Sequence, residues 1–461
     1  MSHRKPFDQL EDAAIRLALD APDSLHSSAV DALRYVIRFA KLQRVRREDG
    51  VDLDVTEALA PHAWKIRHVL TPALIEERSL WAAMRAAPDL LAITRERRRR
   101  LLEQFPLDRD SLEAEVCQRP LVVTCGGGGG AGYGYAGAWT LLHRKGLQPA
   151  LLSGTSIGAL MAMFRARRLV FDGAPMVAAA RRLSWDKVFR VLQSENRYGL
   201  PATLRLYLRA ALGPLFLTQD GRAMTFDDLE IPLLVVATGI GVDALKHDLS
   251  FYEHFLDDAV APGVPFRPTR IAKVTQLASI MRELLATPDA LREVVFGADP
   301  ATHNADVLDA AGFSASIPGL IHYDVLRDDR RMKLLLDELY GRYGITRLVE
   351  GGILNNVPVR PAFAEVIGGR ITRRDAYFLA LDCFSPKIRQ FMFLPIQQLV
   401  RPNVTANIAY ANQYHALDKT LSPLNLVPEV HDVTRAMDWT IGELEAHMPV
   451  IQRHCTPLTP I

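Results

Sequence analysis

The amino-acid sequence predicts an α/β fold: a mostly parallel sheet flanked by helices, with an N-terminal helical extension and a helical C-terminal tail. Apolar residues recur at helical spacing through residues 7–118. From residue 119, short β-branched apolar runs alternate with helical segments, a pattern typical of a parallel sheet covered by helices. Helical patterns return after residue 385. The predicted domains are therefore 1–118, 119–385 and 386–461.

Composition and charge narrow the classes of function. The 461 residues carry 55 basic and 53 acidic side chains, whereas nucleic-acid-binding proteins usually carry a strong basic excess. No nucleic-acid partner is therefore expected. The four cysteines show neither a C-x-x-C pair nor zinc spacing, so we predict no metal and no cofactor. The N-terminus lacks the apolar core of a signal peptide, which favours a cytoplasmic location.

A basic run lies near the end of the N-terminal extension. Residues 95–100 are Arg-Glu-Arg-Arg-Arg-Arg, and Leu101 and Leu102 follow. A basic amphipathic helix can lie on anionic lipid, and the same pattern also fits an ordinary solvated helix face. The sequence leaves both interpretations open, peripheral membrane contact and a plain surface helix.

Five short apolar segments are predicted as strands of the central domain. They are residues 121–125, 150–152, 231–238, 347–349 and 376–382. Residues 174–226 have a mostly helical pattern. Residues 244–300 are predicted to be helical and rich in loops, and they form a candidate helical lid because functional loops gather around a rigid scaffold.

The clearest candidate for chemistry is a serine between the second strand and an apolar helix. The segment from Gly154 to Gly158 reads Gly-Thr-Ser-Ile-Gly, which has the form G-x-S-x-G. In a nucleophile elbow the serine occupies a sharp strand-to-helix turn, and small neighbours prevent clashes. Ser156 is therefore the predicted nucleophile. The alternative is an ordinary serine at a helix N-terminus.

A glycine-rich loop follows the first strand. Five consecutive glycines at 126–130 are costly in backbone entropy, so they favour a loop whose amides must approach a ligand. A P-loop is excluded because no G-K-[ST] ends the run. A dinucleotide site is disfavoured because residues 116–171 contain no acid for the ribose. An oxyanion hole beside the serine remains. Its candidate donors are the amides of Gly128, Gly129 and Gly130.

Five motifs in order resemble the patatin-like phospholipase family over roughly residues 120–385. They are the glycine loop at 127–132, the serine turn at 154–158, Thr-Phe-Asp-Asp-Leu-Glu-Ile-Pro-Leu at 225–233, Phe-Ser-Ala-Ser-Ile-Pro-Gly at 313–319, and Glu-Gly-Gly-Ile-Leu-Asn-Asn-Val-Pro-Val at 350–359. The motif glycines are Gly127, Gly132, Gly154, Gly158, Gly351 and Gly352. The resemblance implies a serine esterase acting in lipid degradation on an acyl lipid or phospholipid, through a Ser–acid dyad of Ser156 and Glu350.

Two residues depart from the family pattern. Ala131 replaces the usual Arg or Lys of the glycine loop, and Glu350 replaces the usual Asp of the dyad. The extra methylene of Glu350 moves its carboxylate by about 1.5 Å. Two functions therefore remain open: a lipid acyl hydrolase, and a catalytically impaired pseudoenzyme that binds lipid or protein partners.

A Ser-His-acid triad is the remaining mechanistic alternative. In the order Ser, acid, His it needs a histidine after residue 350. The candidates are His415, His431, His447 and His454. None lies in a recognisable loop context, so the dyad is preferred.

Overall fold

The computed structural model describes residues 4–21, 27–190, 197–241, 278–326, 328–387 and 393–461. The chain forms two compact units. The first comprises residues 1–121, 364–377 and 445–461, and the second comprises residues 122–363 and 378–444. Within the described ranges no helix is long and apolar enough to cross a membrane.

The first unit is mainly helical. Val30, Leu33 and Ile37 recur on one face of helix Ser27–Lys41 and are buried in its core together with Phe7. Its helices are Arg4–Asp20, Ser27–Lys41, Thr56–Thr71, Leu80–Gln104, Arg109–Cys117 and Met448–Cys455. The prediction of helices alone over 1–118 is wrong in one place, because β1 (Arg44–Arg46) and β2 (Asp52–Asp54) form an antiparallel hairpin.

A buried ionic cluster joins distant parts of the first unit. Arg38 and Arg119 bind the carboxylate of Glu11, at 2.8 Å and 3.0 Å. Burial acts to raise the pKa of Glu11, but the two guanidinium groups outweigh it and hold the pKa well below its ordinary value. His454, a candidate triad histidine, lies in this cluster with Nε2 at 3.3 Å from Asp12. Its role here is structural.

The second unit contains the predicted α/β core. Its main sheet has the order β10–β7–β4–β3–β11–β12, with β8 also paired to β7. These strands are β3 (Leu121–Cys125), β4 (Pro149–Thr155), β7 (Leu233–Ile240), β8 (Leu291–Phe296), β10 (Arg347–Val349), β11 (Tyr377–Asp382) and β12 (Gln413–Ala416). The flanking helices include Tyr135–Arg144, Ile157–Ala166, Val307–Ser314, Arg330–Tyr343, Val359–Gly368, Leu394–Ile408 and Val430–Glu445. The predicted fold class is confirmed.

A second, smaller sheet lies in a region predicted to be mostly helical. It has the order β5–β6–β9, formed by Phe189–Arg190, Ala202–Leu206 and Gly319–His322. The short helices Ala174–Arg182, Trp185–Val188 and Leu208–Leu212 accompany it. The prediction of helix over 174–226 is therefore wrong for β5 and β6.

Two further corrections concern the candidate lid and the tail. Residues 242–277 of the lid lie outside the described residues. Of the remainder, residues 278–285 are helical, but 291–296 form β8, which pairs antiparallel with β7 inside the main sheet. That part of the segment belongs to the scaffold. The tail predicted as helical contributes β12, which pairs parallel with β11.

Candidate active site

The site is built on one edge of β7. β8 pairs with β7 along residues 235–240 and occupies one edge of that strand. β4, which pairs with residues 233–236 of β7, and β10, which pairs with 238–240, must therefore share the other edge.

The two strands on this edge run towards each other. β4 is parallel to β7 and ends with Thr155 opposite Val236. β10 is antiparallel to β7 and ends with Val349 opposite Thr238. Because their carboxyl ends meet, the residues that follow them, Ser156 and Glu350, are brought to one place. This pairing explains how two residues 194 positions apart in the sequence come to share a site.

Ser156 occupies a strained turn. It has φ 56° and ψ −127° immediately before helix Ile157–Ala166. A non-glycine residue in this region costs about 1–3 kcal/mol, and such strain is concentrated at functional sites. A side chain at Gly154 would lie 2.6 Å from the backbone of Ala159, and one at Gly158 would overlap the carbonyl of Cys125. The spacing of small residues predicted from the sequence is therefore required by the packing of the turn.

Ser314 is hydrogen-bonded both to the turn at Ser156 and to the segment that follows β10. Its hydroxyl accepts a hydrogen bond from the Ser156 N–H at 2.8 Å and donates one to the carbonyl of Val236 at 2.5 Å. Its own carbonyl accepts from the Gly351 N–H at 3.2 Å. Sequence reasoning placed Ser314 in a family motif without giving it a role. A single buried serine thus holds both the turn at Ser156 and the segment that follows β10.

The carboxyl of Glu350 is buried. Its backbone N–H donates to Ser316 at 2.8 Å, and Oε1 accepts from the Gly352 N–H at 3.2 Å. Burial raises the pKa of Glu350 to about 8, although the Ser156 hydroxyl and the Gly352 N–H both lower it. Among the described residues, Oε2 has no partner within hydrogen-bond geometry. The Ser156 hydroxyl is therefore close enough to the carboxyl to lower its pKa.

The three loop amides predicted as oxyanion donors differ in their hydrogen bonding. Gly130 donates its N–H to the carbonyl of Pro423 at 3.0 Å, so its amide is already used and the prediction for this residue is corrected. For the N–H groups of Gly128 and Gly129, the described part of the chain provides no hydrogen-bond acceptor. Both residues line a cavity next to Ser156. Gly129 has φ +55°, a conformation that favours glycine.

The remaining motif glycines allow close packing around Ser156 and Glu350. A side chain at Gly127 would lie 3.0 Å from Cβ of Ser156 and 3.4 Å from Oε1 of Glu350. A side chain at Gly132 would overlap Ile157, and one at Gly351 would overlap the carbonyl of Val236. Gly352 places its N–H on Glu350.

Ala131 stands where the family has a cation. It is fully buried, and its N–H donates to the Gly128 carbonyl at 3.2 Å. The position therefore adds no charge to the loop and serves to hold its turn.

Two apolar cavities meet at Ser156. The larger has an empty volume of about 1330 Å³ including its open mouth, and the smaller about 660 Å³. Tyr133 lines the larger cavity, whereas the hydroxyl of Tyr135 is bound to the backbone at Gly126. None of the four candidate triad histidines is among the described residues that line either cavity. His415, for example, lies 3.7 Å from Glu443.

One carboxylate cluster has the spacing of a metal site. Asp306, Asp309 and Asp329 have oxygens within 4.8 Å of one another. The guanidinium of Arg209 binds all three, and Arg331 also binds Asp306. Two guanidinium groups therefore offset part of the charge of the three carboxylates, and none of the three aspartates lines the cavities beside Ser156.

The fold and this arrangement are those of a class of α/β proteins that carry a serine on a strand-to-helix turn beside a glycine loop. A family model described as patatin-like phospholipase matches residues 123–363. The match covers more than half of the chain, and the chain belongs to the patatin-like phospholipase family, a family of lipid acyl hydrolases. A search of curated proteins found no match.

Proposed function

We propose that the chain is a serine acyl hydrolase that cleaves carboxylic esters of lipids with a Ser156–Glu350 dyad. The observation that carries this proposal is the meeting of β4 and β10 on one edge of β7, which sets a strained serine beside a buried carboxyl. The amides of Gly128 and Gly129 border the same space and are the proposed oxyanion donors.

The proposed reaction has two halves. Ser156 Oγ attacks the acyl carbonyl carbon while ionised Glu350 takes its proton, and the amides of Gly128 and Gly129 stabilise the oxyanion. The bond to the leaving oxygen then breaks, and Glu350 returns the proton to that oxygen. In the second half, Glu350 takes a proton from water, whose oxygen attacks the acyl carbon. The bond to Ser156 Oγ then breaks, Glu350 returns the proton to Oγ, and the acid leaves.

The pseudoenzyme is the second candidate, and two observations favour it. With a pKa of about 8, only about a tenth of Glu350 is ionised at pH 7. Its Oε2 also makes no hydrogen bond within the described residues. In this alternative the apolar cavities bind an acyl lipid without cleaving it.

The deciding experiment measures kcat/KM on p-nitrophenyl butyrate at pH 9, where most of Glu350 is ionised. Ser156→Ala should lower kcat/KM by at least about 10³-fold. Ser153→Ala is the matched control, because its buried hydroxyl donates to Pro358 and does not border the cavities. Undiminished turnover by Ser156→Ala contradicts the proposal.

Variants of Glu350 separate the two candidates. A working Ser–Glu dyad predicts the order wild type, then Glu350→Asp, then Glu350→Gln, with the Gln variant slower by about 10²–10⁴. A nearly inert wild type with a faster Asp variant supports the pseudoenzyme.

The predicted cytoplasmic location and the three-domain division remain predictions.

A further inference from the structure

The two cavities share the nucleophile but differ in chemistry. Both are lined by Ser156, Gly129, Ile317 and Leu426. Glu350 lines only the smaller one. Ser156 therefore stands at a junction, with the carboxyl on one side and a long apolar space on the other.

The position of Glu350 decides which part of an ester enters each cavity. In the proposed reaction, the group that takes the Ser156 proton returns it to the leaving oxygen. The leaving alcohol must then lie on the Glu350 side, in the smaller cavity. The acyl chain is left with the larger cavity, whose lining includes Leu160, Phe164 and Met176.

The lining of the smaller cavity restricts the leaving alcohol. Among its described lining residues, Glu350 is the sole charged side chain, and the others are mainly apolar, including Ile396 and Leu424. A phosphate headgroup there would lose water and find a carboxyl rather than a cation, which is unfavourable. The buried Ala131 adds no compensating charge to the adjacent loop.

Two polar atoms remain available for the leaving oxygen. Oε2 of Glu350 and Nδ2 of Asn356 are both buried, and neither has a hydrogen-bond partner among the described residues. Both side chains line the smaller cavity. A protonated Glu350 and the Asn356 amide can donate to the same ester oxygen as the bond breaks.

Resting on the proposed function, we propose that the substrate is a neutral ester with two apolar arms. The larger cavity holds the acyl chain and the smaller holds an apolar alcohol, such as a fatty alcohol or a neutral glyceride. Asn356 binds the leaving oxygen. A phospholipid with a charged headgroup is disfavoured.

The test uses one blocking substitution in each cavity of the full chain. Met176 and Leu424 are both half-buried, and each lines only one cavity. With p-nitrophenyl esters, Met176→Trp should lower the ratio of kcat/KM for palmitate over butyrate at least tenfold. Leu424→Trp should leave that ratio within about twofold of wild type. With oleate esters in mixed micelles, the kcat/KM of wild type for oleyl oleate should exceed that for dioleoylphosphatidylcholine at least tenfold. Leu424→Trp should reduce this ratio.

Two results overturn the assignment. One is a ratio of kcat/KM for palmitate over butyrate that falls in Leu424→Trp and not in Met176→Trp. The other is a wild type whose kcat/KM is higher for the phospholipid than for oleyl oleate. Neither refutes the proposed function, which is judged separately by butyrate turnover of wild type against Ser156→Ala. Circular dichroism melts of both variants identify any that fails to fold. In that event Met176→Phe and Leu424→Phe, which add less volume, give the same comparison.

A separate observation concerns the surface at the mouth of the larger cavity. The segment 168–187 exposes apolar side chains, including Val170 at 73% and Trp185 at 48%. Val177 is also exposed and lines the cavity itself. The same segment exposes the basic residues Arg181, Arg182 and Lys187 together with the acids Asp172 and Asp186, while its Arg168 is paired with Glu230 at 3.0 Å. Aromatic, aliphatic and basic side chains in one segment are the composition of a surface that binds anionic membranes.

The basic run at 95–100 is a weaker candidate for the same contact. Arg98 binds Glu113 at 2.6 Å, Arg99 binds Glu96 and Glu103, and Arg100 binds Glu96 at 2.6 Å. These charges are largely matched within the helical unit, which favours the solvated helix face.

The geometry points to the 168–187 face as the surface that rests on an anionic bilayer, with the cavity mouth against the lipid. Binding to phosphatidylcholine vesicles containing 30% phosphatidylglycerol should weaken at least tenfold in Arg181→Gln/Arg182→Gln, and with added salt. Trp185→Ser should weaken binding to the same vesicles both with and without added salt. The matched control, Arg99→Gln/Arg100→Gln, removes the same charge and should bind as wild type does. Equal binding by all variants, or loss in the control alone, overturns the assignment.

Discussion

The ionisation of Glu350 gives the most quantitative prediction. A general base must be ionised to accept the Ser156 proton, and burial raises its pKa to about 8. About one carboxyl in a hundred is then ionised at pH 6, a tenth at pH 7 and nine-tenths at pH 9. We therefore expect kcat/KM to rise about tenfold between pH 6 and pH 7 and about 100-fold between pH 6 and pH 9.

The assay is hydrolysis of p-nitrophenyl butyrate at constant ionic strength, followed at a wavelength where the product absorbs equally at each pH. In Glu350→Gln the residual rate should lose this dependence, because glutamine does not titrate. A Ser156-dependent rate that is flat from pH 6 to pH 9 in the wild type would refute the assignment of Glu350 as base. So would a rising profile that survives in Glu350→Gln.

The same pKa makes a prediction for stability. Glu350 binds its proton more tightly in the folded chain than at its ordinary pKa of 4.5. The folded state therefore holds more protons between pH 4.5 and pH 8, so the free energy of unfolding falls as pH rises through this window. The full loss is about 5 kcal/mol and is complete above pH 8. Urea unfolding should show the second unit of Glu350→Gln gaining stability over wild type between pH 5 and pH 9, and an unchanged difference would contradict the raised pKa.

The remaining predictions concern the residues around the proposed dyad and the alternatives to it. Ser314→Ala removes the hydrogen bonds to Ser156 and Val236 and should lower kcat at least tenfold. Ser314→Thr keeps the hydroxyl and should recover kcat. Equal kcat in both variants would exclude a positioning role for Ser314. Gly129→Ala places a side chain at φ +55° and against Pro423, so it should lower the free energy of unfolding by at least about 1 kcal/mol, and a melt identical to wild type would contradict the loop conformation. We expect kcat/KM to stay within a few-fold of the wild-type value in His415→Ala, in His431→Ala and after treatment with EDTA. A loss of about 10³-fold in either histidine variant would restore the Ser-His-acid triad as the mechanism.

The sequence predicted the parts of the site that depend on local patterns. The five apolar segments became β3, β4, β7, β10 and β11, with ends shifted by three residues or fewer. The serine turn and the glycine loop were found because their glycine spacing reflects close backbone contacts within a few residues.

The missed features depend on distant parts of the chain. β12 is four residues of half-buried polar sequence, and it is a strand because β11 offers it an edge. The antiparallel direction of β10, which brings Glu350 to Ser156, follows from pairing with β7 over a separation of more than 100 residues. Only the β1–β2 hairpin had an unused local signal, the Asp49-Gly50 turn with Gly50 at φ +82°.

Individual hydrogen bonds were equally inaccessible. The Gly130 amide was predicted as an oxyanion donor because the loop alone does not show that Pro423 accepts from it. Ser314 has an ordinary sequence context near a helix end. Its role appears only when Ser156 and Val236 bond its hydroxyl and Gly351, after β10, bonds its carbonyl.

The central claim is that Ser156 is an activated nucleophile, and covalent labelling tests it most directly. A fluorophosphonate reacts with an activated serine and can be located by mass spectrometry of the digested protein. At pH 9 the account predicts one adduct on the peptide containing Ser156, no adduct in Ser156→Ala, and much slower labelling of Glu350→Gln. An unlabelled wild type at pH 9, or undiminished labelling of Ser156→Ala, would contradict it.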